Sequence, residues 1–329
     1  MSVAVLGGGA WGTALANAAA SAGHDPVVLW MRDAGAAAAL ASARENARYL
    51  PGIPLDPRVR PTADAAALAG AATVLAVLPT QALRNALEPL ASALAPEATV
   101  VLCAKGIERG SGLFPSAVAA GVLGAGRGLA VLSGPSFAAD VARGLPTAVT
   151  LAAPDAALAR RLAESLSGPA LRLYHTTDRL GVEVGGAGKN VLAIACGAVH
   201  CAGLGESARA ALVARGFAEL ARLARALGAR PETLMGLSGL GDLVLTAAPG
   251  QSRNFAFGER LGRGVPVAEA AGGKLVEGAL TAGALVALAR SHAVEMPVSE
   301  AVAAVVAGSI GVAEAVEGLM RRPLRGEGE

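Results

Sequence analysis

The sequence predicts an α/β domain with a doubly wound parallel sheet, followed by an all-α helical domain. Over roughly the first half of the chain, short apolar segments alternate with helical patterns, which is typical of a parallel sheet covered on both faces. From Asp178 onward only helical patterns remain, separated by short loops rich in Gly and Pro. A length of 329 residues is enough for two domains. We therefore expect one domain at residues 1–178 and a second at residues 179–329.

The strands of the first domain are predicted from apolar runs that are bounded by Gly, Pro or polar residues. These runs are Val3–Leu6, Val27–Met31, Thr73–Leu78, Thr99–Cys103, Leu129–Leu132, Ala148–Ala152 and Leu171–Tyr174. Helical patterns lie between them at Gly12–Ala22, Gln81–Leu94 and Asp155–Leu166, whereas the Pro-containing stretch Tyr49–Pro61 predicts a loop. The helices expected in the second domain are Arg179–Cys201, Glu206–Leu227, Ser252–Gly262, Thr281–Ser291 and Ser299–Met320.

Composition argues against several classes of protein. A net charge of +2, without blocks of like charge, argues against a nucleic-acid-binding protein. Three cysteines without a Cys-x-x-Cys pair indicate free thiols in a reducing cytoplasm. The N-terminal sequence lacks the basic region and the long apolar core of a signal peptide. The longest apolar candidate, Ala301–Ala313, is too short for a membrane span, so no membrane insertion is expected.

The segment Gly7–Gly12 satisfies the pattern G-x-G-x-x-G directly after a predicted strand and at the start of a helix. Gly7 permits the tight turn, Gly9 lets a pyrophosphate approach the backbone, and Gly12 lets the helix pack closely on the strand. The N-terminus of the helix then offers N–H donors to the phosphates. In this context the motif predicts a Rossmann-type domain that binds a dinucleotide.

The residues after the second predicted strand indicate which dinucleotide is bound. An Arg in this position accommodates the 2′-phosphate of NADP, and a carboxylate prefers the free ribose of NAD. Here Arg32 is followed directly by Asp33. The sequence thus favours NADP and leaves NAD open, and a solvated cation at a helix start remains the alternative for Arg32.

Lysine is rare in this chain, since only three of the 28 basic residues are Lys. Arg cannot release its proton near neutral pH, but Lys can when burial or a nearby cation lowers its pKa. Lys105 and Lys189 lie in uncharged, Gly-flanked stretches, unlike most surface lysines, whereas Lys274 is equally compatible with an ordinary surface position. We therefore expect Lys105 and Lys189 to be candidates for proton transfer or substrate binding.

Further polar groups are candidates for binding. Ser133–Phe137 (SGPSF) follows a strand, where backbone N–H groups and Ser136 are able to bind a phosphate, although a simple turn with a helix cap fits equally. Asp242 is a candidate partner for a lysine, and Arg253 offers a planar fork for phosphate beside Ser252 and Asn254. Glu277 is a candidate acceptor for a ribose or amide, or a plain helix-start carboxylate. The four histidines have no metal-like or triad-like spacing, so no metal site is expected.

Taken together, these motifs resemble those of the bacterial-type NAD(P)-dependent glycerol-3-phosphate dehydrogenases. The matching stretches follow the family order over nearly the whole chain. They are Gly7–Ala16 (GGGAWGTALA), Tyr49–Ile53 (YLPGI), Cys103–Glu108 (CAKGIE), Ser133–Phe137 (SGPSF), Glu183–Asn190 (EVGGAGKN), Ala208–Gly216 (ARAALVARG), Leu240–Val244 (LGDLV), Gln251–Asn254 (QSRN) and Val276–Thr281 (VEGALT).

The resemblance implies that dihydroxyacetone phosphate and NAD(P)H interconvert with sn-glycerol 3-phosphate and NAD(P)⁺, which supplies glycerol 3-phosphate for phospholipid synthesis. It implies Lys189 as the proton donor and acceptor at the substrate C2 oxygen. The implied substrate contacts are Lys105, Gly134, Ser136, Lys189, Asp242, Ser252, Arg253 and Asn254. The implied nucleotide contacts, with the glycine motif included, are Gly7, Gly9, Ala10, Trp11, Gly12, Arg32, Tyr49, Lys105, Ala138, Arg253, Val276 and Glu277. A phosphorylated triose is the expected small-molecule partner, and a homodimer is a state that the sequence allows.

The chain departs from the family pattern at three places. Ala10 stands where the family usually has Ser, Met31 where a polar residue is common, and Gly205–Ser207 (GES) where Gly-Asp-Asn is usual. The first two departures put the nucleotide contacts at these positions in doubt, and none of the three involves Lys189.

Two other functions stay open from sequence. A reductase of another small 2-oxo or 3-hydroxy acid also combines a Rossmann-type domain with a helical domain and a lysine, but it does not need the phosphate-binding character of Ser252–Asn254. A non-catalytic NADP-binding sensor would not need both Lys105 and Lys189.

Overall fold

The computed structural model describes residues 2–124, 126–323 and 326. The chain divides into two compact units. The first contains the described residues up to Ala104 together with Pro115–Arg179, and the second contains Lys105–Phe114 together with the described residues from Leu180 onward. The predicted boundary at 178/179 falls beside the observed boundary at 179/180. The return of Lys105–Phe114 to the second unit was not predicted, and it follows from the burial of Ile107 and Phe114 in the core of that unit.

The first unit is built on a single eight-stranded sheet with the order β3-β2-β1-β4-β5-β6-β7-β8. Its strands are β1 (Val3–Leu6), β2 (Val27–Trp30), β3 (Val59–Thr62), β4 (Thr73–Ala76), β5 (Thr99–Leu102), β6 (Leu129–Ser133), β7 (Thr147–Ala152) and β8 (Leu171–Thr176). The α-helices are α1 (Ala10–Ser21), α2 (Ala34–Ala43), α3 (Leu83–Leu87), α4 (Pro115–Leu123), α5 (Ala138–Ala142) and α6 (Ala156–Leu166), and 3₁₀ turns span Ala65–Leu68, Thr80–Ala82 and Glu88–Ala93.

Both faces of the sheet are buried at its central strands β1, β4, β5 and β6, which explains why these strands are largely apolar rather than alternating. In β1, Val3 and Val5 enter the core on one face, whereas Ala4 and Leu6 enter the core on the other face. A parallel sheet covered on both sides requires this composition. The predicted doubly wound α/β class is confirmed.

Two features of the sheet were not predicted. The strand β3 overlaps the end of the expected loop Tyr49–Pro61, and it contains Pro61 opposite Leu29 of β2. An edge strand accommodates Pro because its outer N–H groups need no partner in the sheet. The pair β6–β7 is antiparallel, while all other neighbouring pairs are parallel. Between β6 and β7 the chain forms only the five-residue helix α5, without the longer crossover helix that usually joins parallel strands.

The second unit is helical, as predicted. Its helices are α7 (Arg179–Cys201), α8 (Glu206–Ala226), α9 (Pro231–Met235), α10 (Asp242–Thr246), α11 (Arg253–Gly262), α12 (Val267–Ala270), α13 (Glu277–Ser291), α14 (Pro297–Val306) and α15 (Val312–Met320), and a π-helical turn spans Leu237–Gly241. The predicted single helix Ser299–Met320 is wrong, because Gly308 adopts a φ of 74° after the end of α14 and the chain then turns into α15. The predicted helix Gln81–Leu94 is likewise interrupted, with Pro89 at the start of a 3₁₀ turn.

Helix α7 forms the centre of the second unit. By length and composition it is able to cross a membrane, but its 18-residue apolar window is entirely buried in the structure, as expected for the core helix of a globular unit. The segment Ala301–Ala313, considered from sequence, is instead divided between α14 and α15. The backbones of α7 and α11 touch, since a Cβ on Gly197 would lie 2.0 Å from the carbonyl oxygen of Phe255. This close approach brings α11 against the C-terminal half of α7.

Glu219 on α8 is a buried carboxylate that holds the start of α14. Its Oε1 accepts from the N–H of Val298 at 2.6 Å, and its Oε2 accepts from the N–H and the hydroxyl of Ser299 at 3.1 and 3.0 Å. Burial raises the pKa of Glu219 above its usual value, although these donors act in the opposite direction. The carboxylate satisfies backbone donors that the N-terminus of a helix leaves free.

We predict that Glu219→Ala lowers the free energy of unfolding by about 3 kcal/mol, because buried donors of α14 lose their acceptor. Urea unfolding followed by circular dichroism measures this effect. The control is Glu314→Ala, which removes an exposed carboxylate in the first turn of α15 and is expected to cost less than about 1 kcal/mol. Equal decreases in the free energy of unfolding in the two variants would contradict the role of buried Glu219 as an acceptor for the start of α14.

Candidate active site

The turn between β1 and α1 has the geometry of a phosphate-binding loop. A Cβ on Gly12 would lie 1.8 Å from the carbonyl oxygen of Gly7, and a Cβ on Gly7, with a φ of 116°, would lie 2.4 Å from that of Val77. In contrast, a Cβ on Gly9 would meet nothing within 4 Å, so the backbone there is open to a ligand. Among the described residues no side chain caps the N-terminus of α1. These features fit the pyrophosphate of a dinucleotide.

Arg32 and Asp33, which follow β2 after Met31, have different surroundings. Arg32 and Asp33 are both exposed, but Asp33 caps α2 by accepting from the N–H of Ala36 at 2.9 Å. The carboxylate therefore has a local structural role that a ribose would have to displace. This arrangement favours Arg32 over Asp33 as the group that meets the nucleotide ribose.

Several of the other residues expected to contact the nucleotide lie near the glycine turn. Ala10, Trp11 and Ala138 pack into one small apolar cluster of the first unit. Tyr49 is 46% exposed, and the guanidinium of Arg48 lies 5.1 Å from the centre of its ring. The face of an exposed aromatic ring is able to stack on a nucleotide base.

The segment Ser133–Phe137 lies at the end of β6 and before α5. The hydroxyl of Ser136 donates to the carbonyl oxygen of Gly134 at 3.0 Å, which closes a local turn. Gly134 has a φ of 147°, and a Cβ there would lie 2.9 Å from the Cα of Val149. The sequence left this segment open as a phosphate site or a simple turn, and the hydrogen bond that the structure gives Ser136 belongs to the turn.

In the second unit, Asp242 joins the two predicted lysines. Its Oδ2 accepts from Nζ of Lys105 at 2.6 Å, and its Oδ1 accepts from Nζ of Lys189 at 3.0 Å. Asp242 begins α10, Lys189 lies in α7, and Lys105 belongs to the segment that returns to the second unit. The Asp242 side chain is 2% exposed, and those of Lys189 and Lys105 are 9% and 17% exposed. With all three groups ionised, the trio carries a net charge of +1 and suits an anionic substrate.

Burial lowers the pKa of Lys189 from its usual range to about 8. Asp242 opposes this shift, while the positive charges of Lys105 and Arg253 add to it. Burial alone would raise the pKa of Asp242, but the two lysines outweigh it and hold the pKa of that carboxyl below its ordinary value. Lys189 thus exchanges a proton within reach of neutral pH, which is the property required of a general acid or base.

A chain of amides lies beside the lysines. Asn190 donates through Nδ2 to the carbonyl oxygen of Lys105 at 3.2 Å and accepts through Oδ1 from Asn254 at 2.8 Å. The side chain of Asn254 in turn accepts from the N–H of Gly278 at 2.9 Å. The structure therefore uses Asn254, a predicted substrate contact, to connect α7, α11 and the start of α13.

The start of α11 borders a cavity of about 250 Å³ that is lined by several positively charged side chains. Three predicted residues line it, namely Ser252, Arg253 and Val276, together with the cations Arg260 and Lys274. Ser252 caps α11 by accepting from the N–H of Phe255 at 3.2 Å. Arg253 is exposed, so its guanidinium is accessible to a phosphate. Glu277 lies next to this cavity as the first residue of α13.

Sequence reasoning missed Thr246, which accepts from Nζ of Lys189 at 2.8 Å and donates to Oδ1 of Asp242 at 3.3 Å. The spacing of four residues between Asp242 and Thr246 would have placed both on one face of a helix, had α10 been predicted. Asn46 was also missed. Its Nδ2 donates to the carbonyl oxygen of Gly8, and no local pattern connects these two positions.

A sheet unit with a dinucleotide turn and a helical unit with a buried, low-pKa lysine are the two parts that a nicotinamide-dependent oxidoreductase requires. Comparison with known proteins gives the particular family. The family model described as NAD-dependent glycerol-3-phosphate dehydrogenase N-terminus matches residues 2–159, and the model of the C-terminus of the same family matches residues 178–317. The chain therefore belongs to the NAD-dependent glycerol-3-phosphate dehydrogenase family.

Individual relatives agree with the family match. The chain is 68% identical over 323 residues to glycerol-3-phosphate dehydrogenase [NAD(P)+] of Methylobacterium radiotolerans, covering 98% of this chain and 97% of that protein. It is 59% identical over 325 residues to the protein of that name from Bradyrhizobium sp. strain BTAi1, covering 99% and 98% of the two chains. The solved glycerol-3-phosphate dehydrogenase of Coxiella burnetii superposes with a TM-score of 0.92 at 38% identity, covering 98% and 99%. The chain is thus an oxidoreductase that uses NAD or NADP, and the two alternatives left open from sequence are not favoured.

We predict that Lys189 titrates near pH 8, below the ordinary range of a lysine side chain. Because the chain has only three lysines, an NMR titration of protein labelled at lysine Cε resolves them, and Lys274→Arg assigns one signal by its loss. Thr246→Val is expected to lower the pKa of Lys189 further, because the ammonium loses an acceptor. A Lys189 signal that titrates at the ordinary pKa of lysine, about 10.4, would contradict the assignment.

Proposed function

We propose that Lys189 moves the proton when the chain interconverts dihydroxyacetone phosphate and sn-glycerol 3-phosphate. The single observation that carries this proposal is the buried Lys189 ammonium, which is bonded to Asp242 at 3.0 Å and has a pKa of about 8. In the direction of reduction, Lys189 donates a proton to the C2 oxygen. In the direction of oxidation, the neutral amine accepts the proton from the C2 hydroxyl.

The residues that would hold the dinucleotide are those of the β1–α1 turn, with Arg32 toward the ribose and Trp11, Tyr49 and Ala138 nearby. When bound, the dinucleotide supplies or accepts the hydride. On the substrate side, Lys105 balances the developing negative charge of the oxygen, and Asp242 holds Lys105 and Lys189 in position. Arg253, with its planar fork, binds the substrate phosphate, and the positive cavity at the start of α11 supports this role.

The proposal also gives the cellular role. The enzyme supplies glycerol 3-phosphate for phospholipid synthesis in the cytoplasm, and family membership together with the free thiols supports this role. A homodimer is the proposed assembly, which light scattering on the purified protein tests.

The direct test of the activity is the loss of reduced-nicotinamide absorbance after dihydroxyacetone phosphate is added to the purified protein. The same measurement with 2-oxo acids that lack phosphate provides the control. Turnover with these acids, without turnover of the phosphorylated triose, would overturn the proposal.

We predict that Lys189→Arg lowers turnover by roughly 10²-fold or more and leaves nucleotide affinity nearly unchanged, because Arg keeps the charge but has no transferable proton. In wild type, reduction needs the charged lysine and is expected to decline as the pH rises through about 8, while oxidation increases over the same range. The remaining activity of the variant should lack this transition. Turnover close to that of wild type would exclude the acid–base role.

We predict that Arg253→Ala lowers kcat/KM for dihydroxyacetone phosphate by roughly 10²-fold, because a charged phosphate loses its bidentate partner. The reduction of unphosphorylated dihydroxyacetone should be affected far less, since this substrate has no phosphate. Steady-state kinetics with both substrates measure the difference. A similar loss with both would assign Arg253 to the nucleotide or to the fold.

We predict that the enzyme uses NADPH at least as well as NADH, and that Arg32→Ala raises KM for NADPH about tenfold more than KM for NADH, because only NADPH carries a 2′-phosphate. Asp33→Ala, which removes the neighbouring helix cap, is the matched control. Equal increases in KM for both nucleotides in the Arg32 variant would contradict a contact between Arg32 and the 2′-phosphate.

A further inference from the structure

Asn46 is a buried amide in the chain between α2 and β3, with 8% of its surface exposed. Its Nδ2 donates to the carbonyl oxygen of Gly8 at 3.0 Å and to the hydroxyl oxygen of Thr13 at 2.7 Å. A carbonyl oxygen only accepts hydrogen bonds, so the nitrogen end of the amide has to face Gly8. Asn46 therefore holds one peptide of the glycine turn from outside that turn.

The orientation of this peptide decides where its hydrogen-bond donor points. The peptide group is planar and trans, so the carbonyl of Gly8 and the N–H of Gly9 point in opposite directions. With the Gly8 oxygen held by Asn46, the Gly9 N–H points away from Asn46. A Cβ on Gly9 would meet nothing within 4 Å, so a ligand has room to approach this backbone.

The peptide is also held by packing. A Cβ on Gly8 would lie 2.5 Å from the side chain of Met31, so the Met31 side chain covers the Gly8 backbone on that side. At its other end, Asn46 organises a second segment. Its own carbonyl oxygen accepts from the N–H groups of Tyr49 and Leu50 at 3.0 and 2.7 Å. One residue thus connects the glycine turn to the segment that carries Tyr49.

We propose that Asn46 is a positioning residue for the dinucleotide, which orients the Gly8–Gly9 peptide so that a backbone N–H is presented to the pyrophosphate. The inference rests on the proposed function only in assigning this turn to NAD(P). Because the pyrophosphate is common to NAD and NADP, the effect of Asn46 is the same for both nucleotides, in contrast to that of Arg32.

Asn17 on α1 provides a matched control, because it also hydrogen-bonds to the chain between α2 and β3, but at other residues. Its Nδ2 donates to the carbonyl oxygen of Pro54 at 2.9 Å, and its Oδ1 accepts from the N–H of Asp56 at 3.0 Å. Neither bond involves the glycine turn. A loss of nucleotide affinity that comes only from loosening this part of the chain should therefore appear in Asn17→Ala as well as in the Asn46 variants.

The test uses the full chain as Asn46→Asp, Asn46→Ala and Asn17→Ala. Aspartate has the shape of Asn but no amide N–H groups, so its ionised carboxylate cannot donate to the Gly8 carbonyl. The dissociation constants of NADPH and NADH are measured without triose from the quenching of tryptophan fluorescence, with Trp11 near the turn. Melting temperatures report on the fold, and steady-state kinetics with dihydroxyacetone phosphate give kcat and the KM of each substrate.

We expect Asn46→Asp to raise both nucleotide dissociation constants by about tenfold or more and Asn46→Ala by somewhat less, since a hydrogen bond that holds the binding backbone is lost. The KM of the triose and kcat at saturating nucleotide should change by less than about threefold. Asn17→Ala should leave nucleotide affinity within about twofold, even if its melting temperature falls as far as that of Asn46→Ala.

Unchanged nucleotide affinity in a folded Asn46→Asp or Asn46→Ala variant would overturn the proposal, as would an equal loss of affinity in Asn17→Ala. If Asn46→Asp does not fold, the comparison of Asn46→Ala with Asn17→Ala decides. Failure of the proposed function is a separate result, because it would appear as absent triose turnover in wild type, while nucleotide affinity is measured without triose.

Discussion

The arrangement of the candidate active site depends on the carboxylate of Asp242. Two ammonium groups lie within hydrogen-bond distance of it, Lys105 at 2.6 Å and Lys189 at 3.0 Å, in a region largely removed from water. Without a negative charge between them, two largely buried cations would repel each other, which is unfavourable in a medium of low dielectric constant. The single carboxylate therefore makes it possible to keep both lysines in one site.

The same interaction sets the reactivity of Lys189. Burial pulls its pKa down and Asp242 pulls it up, and the balance leaves the pKa at about 8. Stronger pairing would raise the pKa of Lys189 and favour its charged form, while the loss of the pair would lower that pKa further. The hydroxyl of Thr246, which hydrogen-bonds to both Lys189 and Asp242, adds a second acceptor to the ammonium.

Much of the fold was predictable because its signals are local. The apolar strands and the long helix α7 follow from runs of adjacent residues, and the predicted bounds of β1 and α7 coincide with the observed ones. The elements that were missed depend on neighbours distant in sequence. Whether Pro61 is tolerated in β3 depends on its position at the sheet edge, and the direction of β7 depends on its pairing with β6. Local composition carries neither kind of information.

The glycine turn and the two candidate lysines, Lys105 and Lys189, were identifiable from the sequence, because both signals come from the chemistry of neighbouring residues. A strand followed directly by Gly7, Gly9 and Gly12 predicts a dinucleotide-binding turn. Lys, unlike Arg, is able to release a proton near neutral pH. The pKa of Lys189, in contrast, depends on contacts that form in the folded chain. Asp242 is 53 residues from Lys189 and 137 from Lys105, and the burial that lowers the pKa of Lys189 comes from packing around α7. Proton affinity depends on charges and solvent in three dimensions, and these are brought together only when the chain folds.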